Sequence, residues 1–318
     1  MPGNNRGLAL VIVLFILAMM MLVVTWLADE ILLSIHRTEN LRDSDQAWQM
    51  AVGSEQWGTA VLARDLAASE TDHLNEGWNN LGAGVSVEEG TLATRIVDLQ
   101  SRFNINNLAE EIEATTTATG EQPAVLPWTA AFSRLLTVLE IDPGLTAAVL
   151  DWLDADQSVR GSYGAEDSDY LGLDTPYRAA NRRFSDVSEL RWVNGFDDVT
   201  VAKLAPFVTV LPESGVGINI NTAEPSLLRI LAVSPLSEGG AVSLADTRPS
   251  ETGFSVDQFL DHPLMAGEQD VVSSLITDRS EYFAVLSTAE YGRARIVLDS
   301  VVQRTAQATQ VIQRRRRY

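Results

Sequence analysis

The sequence predicts an α+β protein: a long N-terminal helix packed on a small antiparallel sheet, with a large helical region lying between the strands. Three observations carry that expectation. Residues 8–27 form an uncharged apolar run that passes, without proline, into a helix-periodic segment ending near residue 68. Strand-patterned segments stand far apart, at 91–98 and again from 282 to 302. The stretch from 107 to 210 is mostly helix-patterned.

The apolar run has one polar side chain, Thr25. Twenty residues at 1.5 Å each span about 30 Å, the thickness of a bilayer's hydrocarbon core. A signal-peptide core would be shorter and would end in small residues. This run ends in Trp26-Leu27 and continues as helix. The boundaries read as an anchor over 8–28 and a continuing helix with the first strands over 29–105. Trp48, Val52, Thr59, Leu62 and Leu66 recur at steps of three, four or seven and predict the packing face of that helix. Trp48 and Trp57 are expected as core or interface aromatics.

Residues 72–90 are glycine-rich and predict loop. Residues 91–98 predict a strand that turns at 98–106. Helices are expected at 127–139 and 145–153, and another after Ser185, which could cap it with Glu189 in its first turns. Residues 235–253, with Pro235, Gly239, Gly240, Pro249 and Gly253, predict loop, followed by a short helix at 255–260. Two strands, 282–289 and 293–302, surround a turn at 290–292 and are expected to pair and rejoin the strand near residue 95. The arginines at 314–317 predict a disordered or edge-strand tail, with an acidic partner surface or lipid headgroups as a possible contact.

The formal net charge of −20 argues against nucleic-acid binding, because phosphates would be repelled. There are no cysteines, which removes disulfides and thiol chemistry. Arg6 lies on the short side of the anchor, which orients the N-terminus to the cytoplasm and residues beyond about 30 to the outside. No G-x-S-x-G, H-E-x-x-H or P-loop occurs, so the expectation is a protein that is not an enzyme.

The densest chemical signal is the acidic stretch 151–181. Seven acids fall within 151–174, against one base, Arg160. Carboxylates so crowded repel unless a cation neutralises them. Ca2+, which accepts six to eight oxygens in flexible geometry, is the natural candidate, and one or two ions are expected. The three histidines, His36, His73 and His262, lie elsewhere. Asp154-x-Asp156-x-Ser158 opens with EF-hand spacing, but Val159 stands where glycine is needed and Ala165 where the twelfth-position glutamate belongs. The candidate ligands are Asp154, Asp156, Glu166, Asp167, Asp169 and Asp174, with Asn181 as an outside choice.

Arg6-Gly7 followed by Leu8-Ala9-Leu10-Val11 resembles the leader junction of type IV pilin-like proteins. The resemblance implies cleavage after Gly7 by a prepilin peptidase and methylation of Leu8, with residues 1–7 as leader. Ile12 occupies the fifth mature position, where most of these proteins carry glutamate. That departure, the segment 98–106 (with Ser101 for the usual glycine, predicting a looser turn), the GAEDxxY loop at 164–170 and the INxNTA segment at 218–223 are together similar to the K-type minor pseudopilins of type II secretion.

The resemblance implies a pilin-like helix and sheet, with an α-helical domain of helix-hairpin-helix or SAM-like units, residues 106–277, inserted into the sheet. Residues 278–318 would be the returning strands and tail. It also implies that the acidic loop binds calcium. The implied role is to cap and initiate a pseudopilus tip. The partners would be the I- and J-type minor pseudopilins, with the H-type as a further one. The implied location is the bacterial inner membrane, single-pass, with a periplasmic C-terminal domain. The remaining alternatives are a minor pilin of a type IV pilus machine and a single-pass periplasmic calcium-binding scaffold.

Overall fold

A computed structural model describes residues 6–82, 84–87, 90–117, 127–267 and 272–317. The first five leader residues and Tyr318 of the tail lie outside them. Helix α1, Arg6–Ala68, runs 63 residues, roughly 95 Å at 1.5 Å per residue. Every residue from 8 to 42 is exposed, and burial begins at Asp43.

From there α1 lies on a five-stranded antiparallel sheet. Its strands are β1 (Val85–Val87), β2 (Gly90–Asp98), β7 (Tyr282–Tyr291), β8 (Ala294–Arg304) and β9 (Thr309–Arg317), paired in that order. The predicted strand and hairpin are present; β1 was not foreseen within the glycine-rich loop. The packed face of α1 is Asp43, Ala47, Ala51, Ser54, Gly58 and Leu62, which shares only Leu62 with the expected one. Trp48, Val52, Thr59 and Leu66 flank it half-buried, and Trp57 is 46% exposed. The cause is closeness of approach. A Cβ at Gly58 would stand 2.8 Å from Cγ1 of Val285, and the hydroxyls of Ser54 and Thr94 are 2.5 Å apart. Only small side chains fit there, so the bulky ones move to the flanks.

Residues 99–281 lie between β2 and its neighbour β7. They contain helices α2 (Asn107–Thr117), α3 (Pro127–Val138), α4 (Leu145–Leu153), α5 (Asp167–Tyr170), α6 (Asp198–Leu204), α7 (Pro225–Leu228), α8 (Glu238–Asp246) and α9 (Val256–Leu260). Two short parallel ladders accompany them, β3 (Phe103–Asn104) with β4 (Val208–Thr209) and β5 (Ile218–Asn219) with β6 (Ile276–Thr277). The largest apolar core is here, centred on side chains such as Phe103, Phe132, Leu136 and Leu228.

This region follows one local plan twice. Asn-Ile-Asn occurs at 104–106 and at 219–221. In the first unit the Asn106 amide clasps the backbone of Phe184, accepting its N–H at 2.8 Å and donating to its carbonyl at 3.0 Å. In the second, Asn221 does the same to Phe254, at 2.7 and 2.9 Å. Each clasped phenylalanine precedes a capping box, Asp186 with Glu189 and Ser255 with Gln258. Asp186 therefore caps the first, not Ser185, whose N–H and hydroxyl both bond Glu189. The element it caps is a 3-10 helix, Val187–Trp192, that turns through Gly195 into α6.

Two further expectations change. Residues 238–246 are helical despite Gly239 and Gly240, because Ser237 caps the Gly240 N–H and the buried Ala241 and Leu244 anchor one face. The turn after β2 is a tight 3-10 turn, with the Ser101 hydroxyl donating to the Asp98 carbonyl at 2.7 Å.

Where the helical region meets the sheet, polar groups are buried. Asp98, at the end of β2, accepts from Asn219 Nδ2, the Thr222 hydroxyl and the Ser280 hydroxyl. Burial pushes its carboxyl up to about 6, even against those bonds. Beside it Arg304, at the end of β8, is fully buried. Its guanidinium pairs with Asp72 at 2.5 Å and with Asp65 at 2.9 Å, donates to the Ser280 carbonyl at 2.8 Å and stacks 4.5 Å over the Phe283 ring. Replacing Arg304 by Ala strands two carboxylates away from water. Chemical denaturation of the full chain in detergent should show a loss of about 3–5 kcal/mol.

Candidate functional site

The acidic stretch begins inside helix α4. Leu145, Ala148, Val149 and Trp152 face the core, and Asp151 is carried in with them, fully buried. A buried carboxylate needs donors. Asp151 receives the backbone N–H of Arg160 at 3.0 Å and its Nη1 at 2.9 Å. The loop from 154 to 165 is thereby folded back onto the helix end. Its first turns are closed by its own acids: Asp154 accepts the N–H of Asp156 at 3.2 Å, and Asp156 that of Ser158 at 2.7 Å. The Gly164 N–H donates to the Arg160 carbonyl at 2.9 Å. A Cβ at Gly164 would sit 2.2 Å from that carbonyl and 2.4 Å from Asp151 Oδ2, so the position demands glycine for space.

Glu166 then enters the interior and α5 follows. The Asp169 carboxylate accepts the Glu166 N–H at 3.0 Å. Tyr170 packs edge-on to Trp152 with centroids 5.3 Å apart, and its hydroxyl accepts the Asn194 N–H at 3.1 Å. These aromatics wall the loop on its core side.

Of the six predicted ligands, the fold brings three together. One carboxylate oxygen each from Asp154, Asp156 and Glu166 lie within 4.8 Å of one another. Asp167 is instead engaged by Arg178 at 3.1 Å and by the Ala179 N–H at 3.1 Å. Asp169 serves the Glu166 amide, and Asp174 is exposed. Glu166 is 2% exposed, yet both of its carboxylate oxygens are buried without a hydrogen-bond partner. Burial, with Asp151 and Asp156 nearby, pushes its carboxyl up to about 7. Asn181, held in a left-handed conformation (φ 47°) and donating its N–H to the Trp152 carbonyl, also keeps a buried Oδ1 without a partner. The orphaned oxygens of Glu166, within the carboxylate cluster, fit a hard divalent cation. Sequence reasoning missed Asp151 as the anchor of the loop; its position inside the apolar face of α4 was the available signal.

A second acidic group, Asp65, Asp72 and Glu76, has oxygens equally close. Arg304 pairs with Asp65 and Asp72, and Glu76 Oε2 accepts from Trp78 Nε1 at 2.8 Å and the His73 N–H at 2.9 Å. This cluster is structural.

The basic tail is also accounted for within the chain. It forms edge strand β9. Arg314 meets the buried Glu55 at 2.7 and 2.5 Å, Arg315 pairs with Asp186, and Arg317 with Asp299 at 2.5 Å. Burial would raise the Glu55 carboxyl, but hydrogen bonds from Arg314 and Ser300 outweigh it and hold it below the usual range. The edge-strand expectation for the tail is met, and these three arginines have partners inside the chain. At the other end, Leu8 is 67% and Ile12 50% exposed on the apolar stretch of α1, which is long and apolar enough to cross a membrane.

Comparison with known proteins bears on the whole chain. Two family profiles, both described as protein K of the type II secretion system, match residues 101–213 and 218–277. A type II secretion system protein K from Pseudomonas aeruginosa is 36% identical, the alignment covering 96% of this chain and 90% of that one. The protein of that name from Aeromonas hydrophila is 32% identical, over 96% and 95%. Among solved structures, the GspK–GspI–GspJ complex from the type 2 secretion system of enterotoxigenic Escherichia coli contains a chain similar to this one. The TM-score is 0.74 at 26% identity, covering 89% of this chain and 99% of that one.

Gly164→Ala drives a methyl into backbone and should lower unfolding stability by about 1–3 kcal/mol. Gly161→Ala, whose Cβ would meet nothing nearer than 3.6 Å but whose φ is 58°, should cost about 1 kcal/mol. Thermal melts of the two variants should rank in that order.

Proposed function

The chain belongs to the type II secretion system protein K family, a structural minor pseudopilin and not an enzyme, and from that premise we propose that it caps and initiates the tip of a periplasmic pseudopilus. In this reading it associates with the I- and J-type minor pseudopilins, and with the H-type as well. The observation that carries the proposal is the match, over 89% of this chain, to a chain of the GspK–GspI–GspJ complex. The secretion role takes precedence over a pilus machine because the relatives described above are secretion proteins.

The physical case for a cap has two parts. Among the described residues nothing packs over residues 8–42 of α1, so their apolar side chains need lipid or neighbouring helices. Moving from bilayer to fibre exchanges one apolar surrounding for another, so little apolar surface is exposed to water during assembly. Ile12, in place of a carboxylate, leaves nothing to neutralise the terminal amine of a subunit stacked above, and a tip subunit has none above it. The 183-residue region between β2 and β7, residues 99–281, adds bulk that suits an end position and not a slim stack.

The processing steps in this proposal are cleavage after Gly7 by a prepilin peptidase, methylation of Leu8 and retention of the helix as an inner-membrane anchor with the rest periplasmic. In Gly7→Val the mature form should be absent from membrane fractions and the precursor should accumulate. N-terminal sequencing of the membrane form reads this directly, and normal cleavage of the variant would remove the leader assignment.

We also propose that the acidic loop holds Ca2+ through Asp154, Asp156 and Glu166, with the Asn181 carbonyl as a further oxygen. Support comes from the orphaned oxygens of Glu166 and Asn181. The ion would supply a counter-charge that ties the end of α4 to the start of α5. A second ion would need Asp167, Asp169 and Asp174, which this arrangement engages elsewhere or leaves apart. A site that exists only in the folded chain raises the melting temperature when filled. Millimolar Ca2+ should therefore shift the melt upward relative to chelator, and a flat titration would sink the calcium reading.

A further inference from the structure

We propose that Arg160 is a resident counter-cation: its guanidinium occupies the acidic cluster when no metal ion is bound and must leave for an ion to enter. It thereby sets the affinity of the site. The proposal rests on the cation reading above and assigns a role to a residue outside the predicted ligand set.

The geometry places one guanidinium on the carboxylates an ion would use. Arg160 Nη1 is 2.9 Å from Asp151 Oδ1 and in direct contact with Asp154 Oδ2, while Nη2 lies 3.8 Å from Asp156 Oδ2. Two of the three clustered acids are thus faced by the same fork. The third, Glu166, keeps both buried oxygens without a hydrogen bond. A guanidinium brings one charge and donors in a fixed plane. A calcium ion brings two charges and accepts oxygens from all sides. The ion can satisfy Glu166 where the arginine does not, and that difference favours exchange.

Displacement need not unfold the loop. The Arg160 backbone is fixed independently of its side chain, with its N–H on Asp151 Oδ2 at 3.0 Å and its carbonyl on the Gly164 N–H at 2.9 Å. Its side chain is 36% exposed, so solvent lies within reach. Once an ion is present, like-charge repulsion drives the guanidinium outward. The arrangement acts as a competitor built into the binding loop. It stabilises the ion-free fold at the expense of ion affinity.

The test is a calcium titration of the full chain in detergent after chelator treatment, read by calorimetry and by melting temperature. Arg160→Gln should bind Ca2+ about tenfold more tightly than wild type, the scale of one charge-assisted hydrogen bond. It should melt lower without the ion and near wild type with it. Unchanged or weaker binding in Arg160→Gln, with clear binding by wild type, would overturn the role of Arg160 and leave the calcium site standing. Absence of binding in both would overturn the site and the proposal together. Should Arg160→Gln fail to fold, Arg160→Lys keeps the charge without the fork. It should then bind Ca2+ more tightly than wild type, and equal or weaker binding would count against the proposal.

Discussion

The arrangement depends on one buried guanidinium. Arg304 sits where three segments would otherwise separate: the C-terminal end of α1 through Asp65, the following loop through Asp72, and the return to the sheet through the Ser280 carbonyl. Removing a charge from water costs several kcal/mol, and only close pairing recovers it. Here two carboxylates, a carbonyl and the Phe283 face meet the two Nη groups and the plane of the guanidinium, and Nε alone is left without a hydrogen bond. Because no segment satisfies it alone, the stem, the loop and the sheet are held in one relative position.

That constraint also decides how the helical region attaches. The chain leaves the sheet at Asp98 and returns at Ser280, and these two residues bond directly. Asn219 joins them, donating to Asp98, to Ser280 and to the Asp72 carbonyl. The second Asn-Ile-Asn segment therefore welds the inserted stretch to the stem. Its counterpart at 104–106 does the equivalent work inside the first unit, where Asn104 accepts the Leu211 N–H. Asparagine suits both places because it donates and accepts without bringing a charge.

The molecule thus holds two arginines in acidic clusters with opposite properties. Arg304 is sealed, and Asp72, one of its two carboxylates, is held as well by the Ser280 N–H at 2.7 Å. Arg160 is partly exposed, reaches only part of its cluster and leaves Glu166 unsatisfied. The difference is one of enclosure, and it separates a structural pair from an exchangeable one.

What the sequence determined by itself was whatever depends on local pattern. The apolar run and its uninterrupted continuation marked α1, alternation marked β2, β7 and β8, and the periodicity of 127–139 and 145–153 marked α3 and α4. The crowding of acids marked the loop, because like charges at short spacing need an explanation wherever they end up. The repeated Asn-Ile-Asn stands in the sequence but was not read from it, because its meaning required seeing both clasped phenylalanines. Tertiary structure decided the rest. Ala47, Ala51, Ser54 and Gly58, not the tryptophans, face the sheet, because how closely a helix approaches is a property of two surfaces. Residues 238–246 are helical because their partners bury Ala241 and Leu244, which outweighs two glycines. Asp154, Asp156 and Glu166 converge while Asp167 and Asp174 do not, because the anchor is Asp151, 15 residues before Glu166, and a distance across a folded loop is not written in the spacing along it.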